Sequence, residues 1–270
     1  MLSITEYKEL ENGVRSLVEQ SLDEVCNKCP KGYIQLLAGA DYEPLYEQTD
    51  LSPYVIDTPD RLFAERTRVH NMLECLNAHY ERIRKQVPPL DITKEVTVQL
   101  QTYSHIWESA TMQKLIRRVV YMLSGKAYEW KISSKTNTGS FMEDVIKKSI
   151  DNPFGLFLSA VYDKDWRNDF AHTSFYVDER SSMLCNARED GMIGNRRMPL
   201  SEWEAMFLKA SMLSFYLSEA VIERRNALPE ETRFIIPMPM KSNPQNIRSI
   251  FIYTHLLEID DKRRIYFNFR

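Results

Sequence analysis

Apolar residues recur at steps of three and four near the start of the chain: Tyr7, Leu10, Val14, Leu17, Val18 and Leu22. That spacing gives one apolar face to a helix from Ile4 to about Cys26. Pro30, Gly32, Pro44, Pro53 and Pro59 then punctuate a loop-rich stretch. Helical spacing returns from about Thr58 to Val87, with Thr58 as N-cap, Pro59 at the first helical position and Pro88-Pro89 as the stop. One long helix is predicted over about Val96–Leu123, on Ile106, Trp107, Leu115, Val119 and Leu123. A short apolar helix follows from Asn152-Pro153 through Phe157, Leu158, Val161 and Tyr162. The pattern then turns strand-like at Ser174–Val177 and Ser182–Cys185, a small β-hairpin around Asp178–Ser181. Ser201 and Glu204 fit a capping box for a helix running to about Ala227. Its residues Trp203, Met206, Ala210, Leu213, Leu217 and Ala220 form a seam for packing against another helix. Phe234–Met240 reads as extended. Ile250–Ile259 and Arg264–Phe269 pair as an antiparallel hairpin, with Ile265, Phe267 and Phe269 alternating as a half-buried strand should.

The fold class is therefore mainly α. It has an N-terminal helical extension (1–95), a helical domain with a small β-hairpin (96–228) and a C-terminal β-rich appendage carrying a second hairpin (229–270). With 270 residues, 43% of them apolar and only 8 Gly, the chain is neither disordered nor fibrous. No apolar run reaches the roughly 18–20 residues of a membrane span, and the opening MLSITEYKELENGV is too polar for a signal peptide. A cytoplasmic protein without a membrane partner is expected.

The net charge of −3 hides an asymmetry. Residues 1–65 carry 13 acidic and 5 basic side chains, whereas residues 113–148 carry 8 basic and 3 acidic. A local basic patch, including Lys114, Arg117, Arg118, Lys126 and Lys131, is a candidate track for a nucleic-acid backbone, against the plainer reading of a solvated helix face. Cys26 and Cys29 have the spacing of half a zinc knuckle, but no second CxxC is present; His70, Cys75 and His79 are the remaining candidates. Unrelated thiols beside a loop are the simpler account. No Gly-rich phosphate loop, GxSxG elbow or HExxH occurs.

The segment that carries chemistry is Trp166-Arg167-Asn168-Asp169-Phe170-Ala171-His172. An Arg, four residues and a His, with Asn168 and Ala171 between them, resembles the RNxxAH motif of the HEPN superfamily. Helices before it, then a hairpin and a long helix after it, are similar to a HEPN-like helical bundle over residues 96–228. The resemblance implies a metal-independent endoribonuclease that needs no cofactor. It implies 2′,3′-cyclic phosphate and 5′-hydroxyl products, and a role as a toxin or as an abortive-infection or antiviral-defence effector. Arg167, Asn168 and His172 are then the catalytic residues. The chemistry suits them, because imidazole moves protons near neutrality and guanidinium offers a fixed fork to phosphate oxygens. Trp166 is a candidate to stack on a base, with a core position as the alternative. Asp169 is expected to be a surface or capping residue, or to pair with Arg167.

Five residues of helix turn the two side chains roughly 140° apart, so one chain presents them poorly to one phosphate. The expected partners are RNA, a second copy completing a composite site in a homodimer, and an antitoxin or regulatory protein. One departure concerns that antitoxin. Family members whose antitoxin adds AMP carry a Tyr two residues after the His, where this chain has Ser174. The competing reading is a non-catalytic HEPN-like module for dimerisation and for RNA or nucleotide binding.

Overall fold

The computed structural model describes residues 2–56, 59–132, 138–187, 193–259 and 262–269. The protein is mainly helical with small antiparallel sheets. Helix α1 (Ile4–Lys28) is followed by α2 (Pro30–Leu37), a two-stranded ladder of β1 (Asp41–Tyr42) and β2 (Tyr54–Val55), and α3 (Pro59–Lys85). Thr58, expected as the α3 cap, lies outside the described residues. Next come α4 (Ile92–Glu108), α5 (Ala110–Leu123), α6 (Thr138–Lys147), α7 (Pro153–Val161) and α8 (Lys164–Ala171). Strands β3 (Phe175–Asp178), β4 (Met183–Ala187) and β5 (Ile193–Pro199) precede α9 (Leu200–Asn226), and β6 (Arg233–Pro239), β7 (Ile247–Ile259) and β8 (Lys262–Phe269) end the chain.

The single helix expected over Val96–Leu123 is two. Ser109 has ψ 112° and so leaves the helical path; its N–H still closes α4 on the His105 carbonyl. Its Oγ accepts the Met112 N–H at 3.3 Å, which makes it the N-cap of α5. A serine hydroxyl competes with the helical ladder in this way. Asp91 caps the start of α4 by accepting the Lys94 N–H at 2.8 Å. Asn152 caps α7 by accepting the Gly155 N–H at 2.8 Å.

By contacts the chain divides into two compact units: Met1–Val18, His70–Leu115 and Thr136–Tyr216 form one, and Glu19–Val69, Ile116–Lys135 and Leu217–Arg270 the other. Each is discontinuous in sequence, unlike the three contiguous segments 1–95, 96–228 and 229–270 read above. In the first unit a chain of aromatic rings forms the core. Tyr103 packs on Trp107 and Trp203 with ring centroids 5.9 and 5.3 Å apart, and Trp107 packs on Tyr162 at 5.1 Å. The sheet β3-β4-β5 adds a strand to the expected hairpin, pairing Leu184 with Met198 and Cys185 with Arg197. Strand β5 was not expected because Gly194, Asn195, Arg196 and Arg197 give it little apolar alternation.

Beside that core lies a buried charged network. His79 Nε2 hydrogen-bonds Glu204 Oε1 at 3.0 Å, and Arg82 contacts both His79 and Glu95. Glu204 Oε2 accepts the Leu2 N–H at 3.0 Å. Helix α9 begins at Leu200, so Ser201 sits inside the first turn and Glu204 serves this network. Burial pushes the Glu204 carboxyl up, but the hydrogen bond and charge of His79, with the Leu2 N–H, outweigh it and hold Glu204 below the usual carboxylate value. A depressed folded-state pKa stabilises above the unfolded value, 4.5, and that stability is lost as pH falls through the folded one. Glu204→Gln is therefore expected to lower stability at pH 7 and to flatten the acid limb of a melting-temperature profile. An unchanged slope below pH 4.5 would show that Glu204 contributes nothing to it.

In the second unit β6, β7 and β8 form an antiparallel sheet with β7 central. Ile236, Met238, Ile252, Ile265 and Phe267 are buried, as the alternation of β8 requires. Phe269, expected to share that face, is 47% exposed at the strand end. Helix α2 packs on β6, and Trp130 Nε1 and Gln35 Nε2 both donate to the Pro237 carbonyl. Helix α9 is long and apolar enough to cross a membrane by length and composition, despite its scattered charges. Of its most apolar stretch, 67% is buried inside the protein.

Candidate active site at the end of helix α8

Asp163 starts α8, accepting the Asp165 and Trp166 N–H groups at 2.8 and 3.0 Å. The Asp163 N–H donates to Tyr103 Oη at 2.7 Å, and that hydroxyl donates to the Val161 carbonyl at 2.9 Å. The core aromatic thus fixes both the exit of α7 and the entry of α8.

Arg167 sits one turn in and is only 9% exposed. Its Nη2 donates to Asn168 Oδ1 at 2.7 Å, while its Nε has no partner. Among the described residues no carboxylate pairs with it. Its charge acts on Tyr162: burial pushes that phenol up to about 12, and Arg167 pulls against the rise. The Tyr162 hydroxyl and Trp107 Nε1 are likewise buried without partners. An isolated buried guanidinium is unfavourable by several kcal/mol unless a counter-charge arrives.

His172 follows the helix as its C-cap residue, exposed, with its N–H on the Asn168 carbonyl at 3.0 Å. Thr173 comes next with φ 55°, in the left-handed region. Glycine is the usual occupant there, and a β-branched residue is strained. The turn is closed by Thr173 N–H to Phe170 O at 3.0 Å and Ser174 N–H to Asp169 O at 2.7 Å. An unpaired buried charge and a strained residue beside a proton-transfer group are the local rule-breaking that functional sites display.

No protein-family model, curated protein or solved structure matches this chain.

The structure places the other sequence candidates differently. Trp166 is fully buried, with the Arg196 guanidinium 4.3 Å over its ring, so its face is not open to a base. Asp169 contacts Arg196, not Arg167. Burial and Asp163 push the Asp169 carboxyl up to about 6, and His172 pulls against that rise. Arg196 also meets Asp163 and Asp165 at 3.4 and 3.1 Å. It comes from β5, and no signal in the motif could have found it.

The basic stretch is largely neutralised within the protein. Arg117 makes a two-pronged pair with Glu129 at 2.6 and 2.9 Å. Arg118 is buried against Asp41 at 2.7 Å and the Trp130 carbonyl at 3.2 Å. Lys131 meets Glu47 at 2.9 Å, exposed Lys126 lies over the Tyr121 ring, and Lys114 is half-buried. These pairings remove most of the positive track expected for RNA. Among the described residues no group of three or more His, Cys, Asp or Glu could hold a metal ion. Cys26 and Cys29 are free thiols, and His79 is committed to Glu204 and Arg82.

Proposed function

We propose that this chain is a metal-independent endoribonuclease of the HEPN type, acting as a toxin or antiviral-defence effector. The observation that carries the reading is Arg167: a residue nine-tenths buried, with no counter-ion among the described residues, five residues before an exposed histidine. A phosphate is the anion that supplies the missing charge, and RNA brings its nucleophile with it. His172 takes the proton from the 2′-hydroxyl, and the 2′-oxygen attacks phosphorus. The bond from phosphorus to the 5′-oxygen breaks, and that oxygen takes a proton from an imidazolium. The products are a 2′,3′-cyclic phosphate and a 5′-hydroxyl. Asn168 holds the guanidinium in place. Arg167 and His172 project roughly 140° apart around α8, which favours a second copy supplying the complementary group across a homodimer.

The test is a labelled RNA pool incubated in EDTA with wild type and His172→Ala. Acid–base catalysis contributes roughly 10²–10⁴ in rate. Cyclic-phosphate ends that fall by that factor in the variant are expected. RNA bound by both proteins and cut by neither favours the non-catalytic RNA- or nucleotide-binding module. Cleavage that survives His172→Ala removes His172 from the chemistry.

A further inference from the structure

The first unit holds a cavity of about 230 Å³, lined by α1, α3 and α9 and unrelated to α8. Its walls are aromatic: Tyr7 packs on Tyr80 with centroids 5.4 Å apart, and Phe215 packs on Tyr216 at 5.0 Å. We infer that this cavity binds the base of an adenine nucleotide, independently of the nuclease reading.

Three observations support it. First, the volume is too small for most ligands, whose sites run to roughly 300–1,000 Å³, and suits one planar ring. Aromatic walls give such a ring stacking partners. Second, the polar groups at the cavity suit a purine on a phosphate. The Asn77 amide, exposed and without a hydrogen-bond partner among the described residues, presents one donor and one acceptor, the pair that adenine N7 and N6 require. Lys8, exposed, offers its ammonium to a phosphate.

Third, the walls are set in advance and carry no net negative charge. The Tyr216 hydroxyl hydrogen-bonds Glu11, and Arg15 lies over the Tyr216 ring at 4.7 Å. Burial raises both the Tyr7 and Tyr216 phenols, so each stays neutral at physiological pH. Lys8 balances Glu11 in the lining, which gives no net charge to draw the cationic guest that an aromatic cage otherwise attracts. Fixed walls reduce the ordering lost on binding.

The test is calorimetric titration of the full chain with 5′-AMP, adenosine, 5′-UMP and choline. AMP has no phosphodiester, so cleavage does not enter. Tyr80→Ala is expected to weaken AMP binding roughly tenfold or more. Lys8→Ala, at an exposed position, weakens AMP binding but not adenosine binding. Asn77→Ala narrows the preference for AMP over UMP. Arg167→Met binds AMP as wild type does, whatever it does to RNA cleavage. The inference is overturned by no AMP binding at millimolar concentration, by choline binding more tightly than AMP, or by AMP affinity that ignores both Tyr80→Ala and Lys8→Ala. It is equally overturned if Arg167→Met abolishes AMP binding, since the nucleotide would then sit at α8.

Discussion

Arg167→Met is expected to raise the melting temperature while slowing RNA cleavage by roughly 10²–10³. The guanidinium is nine-tenths buried, its Nε has no partner, and its one hydrogen bond goes to neighbouring Asn168. Replacing buried charges by a side chain of similar volume is often stabilising by about 1–4 kcal/mol. For a chain of this size each kcal/mol moves the melting temperature by about 2–4 °C. A rise of about 2–16 °C in a thermal melt follows. In the proposed mechanism the same change removes the donor that meets the charged phosphorane, and loss of one such donor lowers kcat by roughly 10²–10³. Stability up and activity down in one variant is the sign of a residue kept for chemistry at the expense of the fold. A melting temperature several degrees lower would instead make Arg167 a structural ion, and the proposed site would lose its main support.

Gly155→Ala is expected to be the most damaging single-methyl change in the first unit. A Cβ there would overlap the carbonyl oxygen and carbon of Ser149 and also its hydroxyl. That backbone has little room to yield. Ser149 Oγ donates to the Val145 and Ile146 carbonyls at 3.0 Å, and the Ser149 carbonyl accepts the Asn152 N–H at 3.1 Å. The turn from α6 to α7 has to open, at a loss of about 3 kcal/mol. A melting temperature lower by about 6–12 °C follows. Gly13→Ala is the control: nothing lies within 4 Å of a Cβ there, and Ala is the better helix former by up to about 1 kcal/mol. Equal effects at the two positions would mean that α7 does not sit as close to Ser149 as the structure has it.

Elements with a strong local signal were legible in the sequence. The stepwise apolar faces of α1 and α9, the Asn152 cap of α7 and the alternation of β8 all follow from residues close in sequence. The break at Ser109 was not, because apolar spacing continues across it and only a hydroxyl marks the change. Strand β5 was hidden by its arginines. At α8 the spacing of Arg167 and His172 could be read from the sequence, and so could their divergence around the helix. The state of Arg167 could not, because its isolation depends on where the acidic groups go. Asp169 turns to Arg196, 27 residues downstream. The basic stretch misled for the converse reason: Asp41 and Glu47, far away in sequence, neutralise Arg118 and Lys131.

Each unit joins the first helix to the last. Leu2 meets Glu204 and Glu11 meets Tyr216 in one, and Glu19 meets Arg224 in the other, across 202 to 205 residues. A ribosome adds roughly 5–20 residues per second. Helix α1 is therefore synthesised roughly 10–40 seconds before the α9 residues that bind it. Through that interval Tyr7, buried in the folded protein, lacks Phe215 and Tyr216, the α9 residues that share its cavity. The nascent chain is thus a natural client for chaperones that hold apolar segments. Under the proposed function, a nuclease active only when folded would stay silent until α9 has been made.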